Sequence, residues 1–154
     1  MELSTFKKKA PTTAWFDFSP GMRVELEYIS PEEVRKRAKY STKIEQGREV
    51  FDEEKLLVEM ASRILSWEGF TLGRVARIMD IEVPEDQADS AVPCTETNKL
   101  ELLKKSWLFK PFVESRTVSL EEFKTDQREL ERKNSLRSPS GPSAAESAAG
   151  TAGK

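Results

Sequence analysis

From Met22 to Tyr28 apolar and charged residues alternate, with Met22, Val24, Leu26 and Tyr28 on one side and Arg23, Glu25 and Glu27 on the other. That period of two predicts a half-buried antiparallel strand. Upstream, Trp15-Phe16-Asp17-Phe18 is aromatic-rich and Ser19-Pro20-Gly21 supplies turn chemistry, so the two runs together predict a β-hairpin. A lone hairpin is marginal in water, and helices must cover its apolar face.

Beyond the hairpin the period changes. Ser30-Pro31-Glu32-Glu33 combines a capping serine, a proline at the first helical position and a glutamate able to complete a capping box, predicting a short helix to about Tyr40. Ser41 to Val50 is polar, contains Gly47, and reads as a loop. Asp52 then caps a helix on which Leu56, Leu57, Met60, Ala61, Ile64 and Leu65 share one wide apolar face, running to Trp67-Glu68-Gly69 with Gly69 as the left-handed C-terminal residue. Thr71 starts a short helix bearing Leu72, Val75, Ile78 and Met79, and Pro84 with the acidic stretch Glu85 to Asp89 forms a loop. Thr95 caps a helix to about Ser106 with Leu100, Leu103 and Trp107 in register. Pro111 permits a last long helix carrying Phe112, Val113, Leu120, Phe123 and Leu130 to about Asn134, with a capping box at Ser119 to Glu122 that would break it near Val118.

The expected fold class is mainly α, of the α+β type: a small N-terminal β-hairpin packed on a helical domain, with a disordered C-terminal tail. Residues 1–13 are expected to be a flexible arm, 14–134 a single domain, and 135–154, rich in Ser, Ala, Gly and Pro, a segment too poor in apolar surface to order itself. With 154 residues there is material for one core and not two.

Composition narrows the chemistry. The chain has no histidine, which removes Ser-His-Asp and Cys-His catalysis and every histidine-containing zinc site, so no enzyme activity, cofactor or metal is expected. A net charge of -2 gives no general attraction to nucleic acid or anionic lipid, and the N-terminal basic run Lys7-Lys8-Lys9 is short. No stretch approaches a membrane-spanning length, and the single cysteine forms no internal disulfide, which fits a cytoplasmic protein. Cys94 precedes a helix start whose dipole favours a thiolate, but no second cysteine or histidine stands by to use it. Glu82, Glu85, Asp86 and Asp89 match no calcium loop, and the glycines form no phosphate-binding string. What remains is apolar area: the wide helix face, Trp107-Leu108-Phe109 and Phe112-Val113 either seal one another or leave a patch for a partner.

The strings Val24-Glu25-Leu26-Glu27-Tyr28-Ile29-Ser30-Pro31-Glu32-Glu33, Ile64-Leu65-Ser66-Trp67-Glu68-Gly69 and Val92-Pro93-Cys94-Thr95-Glu96-Thr97-Asn98-Lys99 are followed by a Phe-rich helix closing at Lys133-Asn134. In that order they resemble the tail assembly chaperones of tailed bacteriophages and prophages, over residues 16–134. The resemblance implies a non-enzymatic protein that binds and solubilises the tape measure protein and helps gather tail tube protein around it in the cytoplasm of the bacterial host. The apolar faces are also compatible with a homo-oligomer. On physical grounds alone the partner-binding candidates are Trp67, Trp107, Phe109, Phe112 and Phe123. Members of the family often end near such a Lys-Asn pair or are extended there by ribosomal frameshifting, so an A-rich slippery heptamer over Lys133-Asn134 is an expectation for the encoding DNA. The alternatives are a virion tail or neck adaptor, which would be found in purified particles, and a small regulator or nucleic-acid binder, whose binding would weaken steeply with salt.

Overall fold

A computed structural model describes residues 1–7 and 11–137. The chain divides into a unit spanning Met1–Leu120 and a second beginning at Glu121. Among the described residues of the first unit are five strands, so the fold is mixed α+β, with more sheet than a mainly α domain carrying one hairpin.

The predicted hairpin is β1, Thr13–Ser19, paired antiparallel with β2, Met22–Glu27. Met22, Val24 and Leu26 are buried as the alternation requires. The strand ends at Glu27, however, so Tyr28 is half-exposed and Ile29 takes the next core position. β1 begins one residue inside the expected arm, and Leu3–Thr5 forms a 3-10 turn.

Four of the caps read from the sequence hold their helices. Ser30 accepts from Glu33 N at the start of α1, Pro31–Ala38, and Asp52 accepts from Glu54 N and Lys55 N at the start of α2, Glu53–Ser62. Thr71 and Thr95 do the same for α3, Leu72–Ala76, and α4, Glu96–Lys105. Each cap satisfies a backbone donor that a helix start otherwise leaves bare.

Two internal stretches take a secondary structure other than the expected one. The polar segment after α1 is not a loop but a second hairpin, β3 (Thr42–Glu45) and β4 (Arg48–Phe51), joined by Gln46 at φ 51 and Gly47 at φ 76. Two successive left-handed residues make the turn whose twist suits adjoining strands. The α2 helix also stops early, because Ile64–Glu68 is a strand, β5, paired antiparallel with β2 in the order β1-β2-β5. Gly69, at φ 76, therefore ends a strand rather than a helix.

The core lies between this three-stranded sheet and the helices. Val24 and Leu26 from β2, and Ile64 and Trp67 from β5, are buried together with Leu57, Met60 and Ala61 of α2, Val75 of α3, and Leu102 and Leu103 of α4. Phe109 and Val113 of α5, Phe109–Thr117, complete it. The expected final helix is broken near Val118: α6 runs from Leu120 to Arg137, so Ser135, Leu136 and Arg137 are helical rather than part of a disordered tail. The rest of that tail lies outside the described residues. Among the described residues no helix is long and apolar enough to cross a membrane.

Candidate functional site

The strings that carry the phage resemblance meet in the folded unit. Val24 lies opposite Trp67 in the β2–β5 ladder, and Trp67 Nε1 donates to Val92 O at 2.7 Å. Within Pro93-Cys94-Thr95-x-x-Asn98, Thr95 Oγ1 accepts from Asn98 N while Asn98 Nδ2 donates back to Pro93 O at 2.9 Å, locking the entry to α4. After Trp67, Arg74 Nη1 donates to both Gly21 O and Gly69 O, clipping two turns together. These motifs build the scaffold.

Of the five candidate docking residues, three are buried. Trp67 is buried and stacks on Phe70 at 4.7 Å between ring centroids, and Phe109 packs edge-on to Phe18, Phe70 and Trp67. Such aromatic pairs add to the stabilisation that burial alone provides. Phe123 is fully buried as well. A side chain with little or no exposed surface offers a partner almost nothing to touch without rearrangement, so the expected docking role does not fit these three. Phe112 is half-buried, 4.9 Å from Phe18 with Arg116 above its ring.

Trp107 is the opposite case, with 93% of its surface exposed, and Leu108 beside it is 62% exposed. The α4 helix ends at Lys105, so Trp107 falls off the stripe set by Leu100 and Leu103 and stands on the turn into α5. That turn is firmly held. Ser106 is buried, and its Oγ accepts from Leu108 N at 3.3 Å and Phe109 N at 3.1 Å, while Phe109 anchors the far side in the core.

The segment from Trp107 to Phe112 forms a ridge between two open grooves. One, of about 620 Å3, is lined by Leu57, Leu103, Trp107 and Pro111 together with both acidic (Glu53, Glu54, Glu114) and basic (Lys104, Lys105, Lys110) side chains. The other, of about 370 Å3, is lined by Phe18, Ile78, Leu108, Pro111 and Phe112, with Arg116 at its rim. Pro111 borders both.

A buried polar cluster fixes the other end of α5. Arg63, buried after α2, donates through Nη1 to Thr117 Oγ1 at 2.9 Å and through Nε to Glu59 Oε2 at 2.9 Å, and its Nη2 pairs with Glu59 Oε1. Arg37 Nη1 reaches Glu59 Oε2 at 3.0 Å. Burial pushes the Glu59 carboxyl up, but the hydrogen bonds and charges of Arg63, then of Arg37, outweigh it and hold the carboxyl below its ordinary value. Thr117 O also accepts from Ile29 N at 2.8 Å, so the ridge-bearing helix is pinned both to the end of α2 and to the segment that follows β2.

The remaining chemical candidates offer little. Burial pushes the Cys94 thiol up, against the pull of Lys99 and with a further push from Glu96, the opposite direction to the pull of a helix start. Among the described residues no three acidic or sulfur side chains gather as a metal would require, and Glu82, Glu85, Asp86 and Asp89 are spread over an exposed loop. No protein-family model matches the chain, and no curated protein or solved structure matches it.

Proposed function

We propose that this protein is a non-enzymatic binding protein that grips an apolar, helical client at the Trp107–Phe112 ridge, and that the client is the tape measure protein of a phage tail, which it keeps soluble while tube protein assembles. The observation that carries the binding part is Trp107 itself. A tryptophan exposes a large apolar surface to water at a cost, and aromatic residues on well-ordered surfaces are the side chains that most often dominate protein interfaces. Here the indole lines the larger groove from a capped, core-anchored turn while Leu108 beside it lines the second, an arrangement suited to the apolar stripe of an amphipathic helix. Acidic and basic side chains around the larger groove would orient such a helix rather than drive its capture. The phage assignment rests on the resemblance of the three strings; the binding assignment does not depend on it.

Co-expression tests both. The full chain should raise the soluble fraction of at least one fragment from a long helical tail protein encoded beside it, and Trp107→Ser should weaken that complex by roughly 30-fold or more, as loss of a dominant interface tryptophan does. Rescue unaffected by the substitution would remove the ridge from the account, and no rescue of any fragment would remove the chaperone role. Recovery of the chain from purified particles would favour a tail or neck adaptor instead.

A further inference from the structure

A second apolar surface lies at the β3–β4 hairpin. Thr42 pairs with Phe51 and Ile44 with Glu49, which puts Ile44 and Phe51 on one face of the hairpin, where they are 71% and 59% exposed. Among the described residues no third strand joins this sheet. Two-stranded sheets of this length are marginal by themselves, and their edges are templates for further pairing.

The hydrogen-bond phase shows which groups the β3 edge offers. Asp52 N donates to Ser41 O at 2.8 Å, making residues 41 and 52 a bonded pair in the same register as the ladder. Alternation then makes 43 with 50 and 45 with 48 bonded pairs, and turns the N–H and C=O of Thr42 and Ile44 outward. Lys55 Nζ already occupies Thr42 O at 3.1 Å. The backbone groups of Ile44 therefore lie at the centre of the open edge.

The side chains around that centre are self-complementary. A two-fold rotation about Ile44 sets Lys43 of each copy opposite Glu45 of the other, and Ile44 against Ile44. The same operation on β4 about Glu49 would set glutamate against glutamate and Arg48 against Val50. The C-terminal residues 138–154 contain no large apolar side chain, so they offer nothing to cover Ile44 and Phe51. We propose that the chain dimerises through β3, pairing antiparallel with β3 of a second copy about Ile44 to form a continuous four-stranded sheet. In each copy Lys43 and Glu45 are already 3.1 Å apart, so the joined edges carry a closed ring of alternating charge. This self-association is independent of the client ridge.

Sedimentation of the full chain over a micromolar to high-micromolar range should show its mass rising from 17.5 kDa towards twice that value. Lys43→Glu and Glu45→Lys should each weaken self-association at least about tenfold, because each places like charges opposite one another twice per dimer. Mixing the two variants in equal amounts restores opposite charges at every position, and association should return to within about threefold of the parent. Both side chains are exposed and outside the core, so recovery on mixing reports the pairing and not refolding. A chain that stays at single-chain mass throughout, with its edge bare or holding a foreign strand, overturns the proposal. So does association unchanged in either variant, or a mixture that fails to recover.

Discussion

Replacing Arg63 with methionine keeps most of the side chain's apolar stem and removes its charge. It leaves Glu59 largely buried, with Arg37 at 3.0 Å as the cation still bonded to it and itself partly exposed. Thr117 loses a donor but still gives its own hydroxyl proton to Val113 O at 2.7 Å. Breaking a buried pair from one side costs about 3 to 5 kcal/mol, and the surviving Arg37 contact sets the expectation at the lower end, about 3 kcal/mol. With a urea dependence of about 1 to 3 kcal/mol per molar, the unfolding midpoint should fall by about 1 to 3 M near pH 7. The sign of the pH effect follows from Glu59. Its carboxyl is held low in the folded parent, so its contribution is present above the unfolded pKa and fades as pH falls through the lower folded value. In the variant burial acts with less opposition and the carboxyl protonates earlier, so the deficit should narrow towards about pH 4. Adding Glu59→Gln to Arg63→Met should recover part of the loss. A midpoint shift below about 0.3 M, or a double variant less stable than the single by a full Glu59 contribution, would refute the reasoning.

Trp67→Phe should cost about 1 to 3 kcal/mol by leaving Val92 O without its indole donor, measured by the same denaturation. Gly69→Ala should abolish soluble expression, because a Cβ there would lie 1.7 Å from Gly21 O, whereas Gly47→Ala, at a similar φ but with nothing within 4 Å, should cost only about 1 to 2 kcal/mol of backbone strain. Cys94, with its thiol pushed up by burial, should react with a maleimide near neutral pH more slowly than an unfolded peptide of the same sequence; faster labelling would contradict the burial.

Much of the framework was legible because its signals are local. The capping side chains of Ser30, Asp52, Thr71 and Thr95, and the alternation from Met22 to Leu26, depend on a few adjacent residues and reappear in place. β5 was hidden by a bulge. Its register with β2 shifts between Ser66 and Ile64, leaving Leu65 over and letting Ile64 and Trp67, three apart, both reach the core. A spacing of three is the signature of a helix, so the strand mimicked a continuation of α2 until its partner was known. β3 and β4 escaped for another reason: with neither face in the core, they carry no apolar alternation, and the one clue was Gly47 after Gln46. At the candidate site, hydrophobic patterning identified aromatic residues without telling burial from display. Trp107 and Phe109 differ by two positions, and the helix end at Lys105 with the Ser106 cap sends one outward and the other in.

The Ser106 hydroxyl has an effect on how docking would proceed. By tying down the two amides that follow Trp107, it removes beforehand the backbone freedom that an unstructured loop would surrender on contact. The entropic toll of association then falls mainly on the incoming chain, whose ordering would dominate the thermodynamics while the receiving turn stays nearly as it was.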